Sequence, residues 1–182
     1  MLVIHPKDRT TAMLSTLYER TDAKVLDESH SNADIRHALN RVAPSERIML
    51  LGHGSDKGLF YRKDDTQDGF DGLIISHQHA YYLRKHSGNI IDVWCHADMF
   101  AMAKGLHGLF TGMIISEMSE AAEYGIATTQ EELDRENTKF AKRLRLLLDK
   151  DSRLSDIPRL FPDMDDAHTP LTEFNYHNIH CI

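Results

Sequence analysis

Cysteine is scarce in this chain: 182 residues hold only Cys95 and Cys181. A secreted scaffold held by disulfides carries more, so free thiols in a reducing compartment, the cytoplasm, are expected. Long apolar runs are absent too, and nothing approaches the roughly 18 residues of a membrane span. Met1-Leu2-Val3-Ile4-His5-Pro6 lacks the charged-then-apolar build of a signal peptide and reads as a first strand. Basic excess is missing: the formal charge is -7, with no Lys/Arg cluster, which argues against nucleic acid as a partner. No Gly-x-Gly-x-x-Gly or Walker sequence follows a strand, and no Gly-x-Ser-x-Gly occurs, which weakens dinucleotide, nucleotide and serine-hydrolase readings.

What is present suits one globular domain over residues 1–182, with 41% apolar and 27% charged residues. Two short runs organise it. Ile48-Met49-Leu50-Leu51 leads into Gly52-His53-Gly54, and Ile90-Ile91-Asp92-Val93 leads into Trp94-Cys95-His96. Runs of this kind suit strands buried on both faces of a parallel sheet, where chemistry collects at the carboxyl edge. If both point the same way in one sheet, His53 and Cys95 emerge side by side.

Around them the chain alternates strand and helix, the α/β signature. Leu2–Ile4 and Lys24–Leu26 read as strands. Helical spacing covers Thr10 to Arg20, and a second helix runs from Ser31 to Pro44, capped by Ser31-Asn32-Ala33-Asp34. Leu59–Tyr61 and Phe70–Ile75 read as a β-hairpin, with a polar turn from Arg62 to Gly69. A helix over His77 to His86 precedes the cysteine strand. Beyond it come a helix from Asp98 to Leu106, a strand over Phe110 to Ile115 and a helix over Ser116 to Tyr124. The longest helix is capped by Thr128 or Thr129. From Asp149 a loop-rich tail with Pro158, Pro162 and Pro170 leads to Leu171–Ile182, read as an edge strand or a cover for the sheet.

A buried strand ending in Gly52-His53-Gly54-Ser55, a β-hairpin, a helix, then a strand ending in Cys95-His96 resembles the layout of caspase-like cysteine peptidases, the clan of metacaspases, gingipains, separase and CHAT domains. The resemblance covers about residues 1 to 116. It implies a three-layer α/β sandwich, mostly parallel, with helices on both faces and the hairpin after the histidine strand. It implies Cys95 as nucleophile and His53 as base, with the backbone amides of Gly54 and Cys95 as an oxyanion hole. Metacaspases carry an aspartate two residues before the cysteine. Here Val93 stands there, and Asp92 falls on the opposite strand face.

A helix N-terminus near Cys95 favours the thiolate. Asp92, Trp94, His96, Asp98 and Glu117 are the candidate substrate-pocket residues. Competing roles are an N-cap for Asp98 and a solvated helix face for Glu117, Glu120 and Glu123. No three or four of the twelve histidines share a ligand spacing, so neither a metal nor a cofactor is expected. The expected function is amide hydrolysis on a peptide or protein substrate, with no membrane partner. The rival is a catalytically inactive caspase-like interaction or regulatory module, favoured by Trp94 and the missing aspartate. A sheet edge would offer a surface for a homodimer or a regulatory protein.

Overall fold

The computed structural model describes residues 1–66, 69–150 and 152–182. The expected turn over Arg62 to Gly69 includes Gln67 and Asp68, and the expected tail includes Asp151. These three lie outside the described residues.

In chain order the elements are β1 (Leu2–Ile4), a 3-10 helix (Ala12–Leu17), β2 (Lys24–Leu26), α1 (Asn32–Arg41) and β3 (Ile48–Leu51). Then follow β4 (Gly54–Ser55), β5 (Gly58–Tyr61), β6 (Gly72–Ile75), α2 (Ala80–Leu83), β7 (Ile90–Val93), α3 (Ala97–Lys104) and β8 (Gly108–Thr111). The chain continues through α4 (Met118–Glu123), α5 (Gln130–Asp149), α6 (Ile157–Leu160), α7 (Pro170–His177) and β9 (Ile179–Cys181).

Six strands form the main sheet in the order β2-β1-β3-β7-β8-β9. The first five are parallel, and β9 closes the edge antiparallel to β8. The strands are apolar on both faces because both are covered. Leu2, Ile4, Ile48, Leu50, Ile90 and Phe110 face α1, α2 and α3. Val3, Met49, Leu51, Ile91, Val93 and Leu109 face the 3-10 helix, α5 and the C-terminal segment. The mostly parallel α/β sheet with helices on both faces is therefore present. Fully burying each such side chain contributes roughly 1.5–3 kcal/mol.

The expected hairpin is present and larger than expected. β4, β5 and β6 make a small antiparallel sheet, tied to the histidine strand by Phe60 N–H donating to the His53 carbonyl at 2.8 Å. Local boundaries differ elsewhere. Thr10 to Arg20 yields only a 3-10 turn, and β8 ends at Thr111, not Ile115. Ile114 and Ile115 are buried without being strand, because Asn175 on α7 pairs with the Ile115 backbone and the Cys95 thiol takes the Ile114 carbonyl. Thr129, not Thr128, caps α5 by accepting from Glu132 N–H. Among the described residues no helix is long and apolar enough to cross a membrane.

Candidate active site

The strand order reverses between β1 and β3, since the chain leaves β1 toward β2 on one side and continues from β3 toward β7 on the other. Such a switch point opens a crevice at the carboxyl edge. Asp8 and Thr10 follow β1, and His53 follows β3. On the next strand, Leu51 pairs with Val93. His53 and Cys95 each lie two residues beyond that last pair, so adjacent parallel strands deliver them together. Both side chains line the same cleft of about 230 Å³, with Gly54, Arg62, Phe70, Glu117 and Glu120 among its walls.

His53 is held by two groups the sequence did not single out, Asp8 and Thr10, with the expected pocket residue Glu117 beside them. Its Nε2 lies 2.7 Å from Thr10 Oγ1, 3.3 Å from Asp8 Oδ2 and 3.7 Å from Glu117 Oε1. Thr10 has one hydroxyl proton and gives it to Asp8 Oδ1 at 3.0 Å. A carboxylate only accepts, so toward His53 the hydroxyl also accepts, and Nε2 carries the ring proton. Nδ1 is then the basic nitrogen. Asp8 Oδ1 receives three further bonds, from the Thr10 and Thr11 amides and from Thr11 Oγ1. Burial alone would raise the Asp8 pKa. The hydrogen bond and charge of His53, with Thr11 and Thr10, more than reverse it, and Asp8 stays ionised well below the usual carboxylate range.

Cys95 ends β7 at a tight turn. Thr111 Oγ1 accepts from Trp94 N–H at 3.0 Å and donates to the Trp94 carbonyl at 2.7 Å, clamping the strand's last turn. The Cys95 thiol donates to the Ile114 carbonyl at 3.3 Å and faces Glu120 Oε1 at 3.7 Å. Burial first, and the charge of Glu120 second, push the thiol up to about 12. This corrects the expectation of a thiolate favoured by a helix N-terminus: enclosure and a facing carboxylate outweigh the first turn of α3. Glu120 also corrects the solvated-face expectation. Its Oε2 accepts from Ser116 N–H, Ser116 Oγ and Glu117 N–H, capping α4 while Oε1 meets the thiol.

The remaining candidates divide. Glu117 is in the cleft beside His53. Trp94 is buried, lines an apolar recess with His53 and Cys95, and donates its indole N–H to the Ser55 carbonyl at 3.2 Å. Asp92 is fully buried on the opposite face, in register with Leu50 and Phe110, and Val93 is the neighbour that reaches the recess. His96 has φ 65° and is itself the N-cap of α3, which places Asp98 inside the first turn and not at the cap. The His96 amide donates to the Gly112 carbonyl, and Asp98 faces His180 at 3.8 Å. Neither His96 nor Asp98 lines the shared cleft. Among the described residues no group of three His, Cys, Asp or Glu side chains has a geometry that would hold a metal ion.

Beyond Ile114 the backbone is braced from the tail. Asn175 Oδ1 accepts from the Ile115 amide at 2.8 Å and its Nδ2 donates to the Ile115 carbonyl at 2.9 Å. Asp8, Thr10, Glu120 and Asn175 carried no sequence motif. The only available signal was position, since Asp8, Thr10 and Glu120 follow strands whose carboxyl ends meet. Comparison with protein-family models and with curated proteins finds no match. The chemistry is therefore argued from these distances.

Proposed function

We propose that this chain is a divergent caspase-like cysteine peptidase or related amide hydrolase, with Cys95 as nucleophile and His53 as base. The observation that carries the reading is the delivery of both side chains to one cleft, two residues past the Leu51–Val93 pair, with the His53 ring proton committed to Nε2. The strand order and the small sheet inserted after the histidine strand support the same clan.

The thiol is neutral at rest, so the base acts during attack and not before it. As Cys95 Sγ bonds to the substrate's carbonyl carbon, its proton passes to His53 Nδ1 and the carbonyl electrons move onto oxygen. The Gly54 and Cys95 amides, on and beside the two reactive residues, are assigned to receive that oxygen. Collapse expels the amine, which takes the proton from the imidazolium, and leaves a thioester on Cys95. Water then attacks the thioester carbonyl and gives its proton to His53; the C–S bond breaks, the carboxylic acid leaves, and the sulfur takes the proton back from the imidazolium. Glu117 and Glu120 make the cleft acidic and suit a substrate with a basic group. Two free cysteines fit a reducing compartment, the cytoplasm.

One feature favours the second reading, an inactive interaction module: burial and the facing Glu120 carboxylate push the Cys95 thiol up to about 12. Cleavage of a mixed-sequence peptide pool, followed by mass spectrometry, separates the two. The peptidase reading expects cleavage and, after acid quenching, an acyl adduct on Cys95. Both disappear in Cys95→Ala, and cleavage drops at least a hundredfold in His53→Ala, about the least that general-base catalysis contributes. A folded parent with neither cleavage nor adduct sinks the enzyme reading.

A further inference from the structure

The inserted sheet does more than follow the histidine in sequence. Arg62, at the end of β5, is buried and places its Nε 3.0 Å from Asp8 Oδ2. That same oxygen lies 3.3 Å from His53 Nε2. Asp8 Oδ1 is occupied by Thr10 and Thr11, and Oδ2 is the oxygen that stands 3.3 Å from the imidazole. The guanidinium carbon also stands 4.5 Å from the Phe70 ring centroid, and that ring lies 5.3 Å from the His53 ring. Phe60 stacks behind Phe70 at 4.9 Å. Arg62 therefore reaches His53 by two routes, one ionic through Asp8 and one by packing through Phe70.

We propose that Arg62 is a positioning residue for His53, holding Asp8 Oδ2 on one side and Phe70 on the other, so that the inserted sheet is part of the hydrolytic machinery. The proposal rests on His53 being the base of the reaction above. Its physical content is a shared acceptor. A planar, permanently charged guanidinium fixes the carboxylate's orientation, and Thr10 then fixes the ring's proton on Nε2. Arg62 also meets the same carboxylate oxygen that faces the imidazole, so the two groups share one acceptor. Among the described residues, the other charged or titratable groups facing the ring are Glu117 at 3.7 Å and, across the cleft, Cys95 and Glu120.

The test follows the His53 ring by NMR against pH, in the full chain and without turnover. In Arg62→Gln the His53 midpoint is expected to rise by about one pH unit, the scale of losing one nearby charge in a partly enclosed site. Arg62→Lys, which keeps the charge, is expected to recover at least half of that shift. In the parent, the Arg62 Nε resonance is expected to move with the His53 midpoint, because both groups meet one oxygen. An unmoved midpoint in folded Arg62→Gln overturns the proposal. So does an Arg62 resonance that ignores His53, a measurement that stands even if Arg62→Gln fails to fold. The acid limb of the pH–rate profile is expected to shift with the midpoint. Slower cleavage with an unshifted limb marks a purely structural role and overturns it as well. Coupled titration in a protein that cleaves nothing instead counts against the peptidase reading and leaves the Arg62–Asp8–His53 linkage standing.

Discussion

A Cβ on Gly54 would stand 2.2 Å from Cδ1 of Trp94 and 2.6 Å from the Gly58 carbonyl oxygen. Trp94 thus occupies the space a side chain at position 54 would need, and the two residues define each other beside the histidine and the cysteine. Gly54→Ala is expected to lower stability by about 1–3 kcal/mol, the usual cost of overpacking. Trp94→Phe in the same chain should recover part of the loss, seen as a positive coupling in a double-mutant cycle of denaturation midpoints. Additive losses would mean that the carbonyl of Gly58, not the indole, sets the limit.

Thr10→Val removes the acceptor that commits the ring proton to Nε2. The expected result is a mixture of ring tautomers in the nitrogen spectrum of His53, and cleavage slowed by roughly tenfold to a hundredfold. Asp8→Asn should slow it further, while also altering acid stability. The folded-state pKa of Asp8 lies below its unfolded value of about 3.9. Its contribution is therefore present above pH 4 and lost as the medium becomes more acidic. Parent and Asp8→Asn should accordingly converge in stability at low pH, and parallel curves would deny Asp8 this role.

Asp92 has both carboxylate oxygens buried without a hydrogen-bond partner among the described residues. Burial raises its pKa well above the ordinary value. A group that binds its proton more tightly when folded contributes stability below its unfolded pKa and loses it as pH rises toward the folded one. Asp92→Val suits a strand and removes the orphaned carboxyl. It is expected to stabilise the protein by about 1–3 kcal/mol at pH 7, with a smaller gain at pH 4. Chemical denaturation at the two pH values decides, and a loss of stability at both would show that the carboxyl has a partner in solution.

His5 and His79 are both buried, and burial is the leading cause that lowers each to about 4. Each binds a proton more readily in the unfolded chain, so stability is full above pH 6.5 and falls between there and pH 4. Each contributes a slope of up to about 1.4 kcal/mol per pH unit within that window. His79→Gln should flatten part of it. Unchanged slopes in both His5→Gln and His79→Gln would place the proton uptake elsewhere.

The sheet was legible because its strands are covered on both sides and therefore nearly continuous in Ile, Leu and Val. Residues such as Leu51 and Val93 announce burial without any knowledge of partners. His53 and Cys95 were legible because each interrupts such a run. The groups that tune them were not. Thr10 meets His53 from 43 positions away in the chain, and only the strand order brings them together. The environment of the Cys95 sulfur was misjudged for a related reason. Local sequence shows the helix that follows but not Glu120, which returns from beyond the next strand. From sequence His96 is a pocket candidate and not a cap, because a left-handed N-cap has no motif of its own.

Asn175 grips the amide and carbonyl of Ile115 as a neighbouring strand would, though it is a single side chain on α7. The carboxylates beside Cys95 and His53 hang from that gripped segment. Residue 175, far along the chain from His53 and Cys95, therefore bears on the segment that carries Glu117 and Glu120. The C-terminal tail thereby braces one rim of the cleft that His53 and Cys95 share.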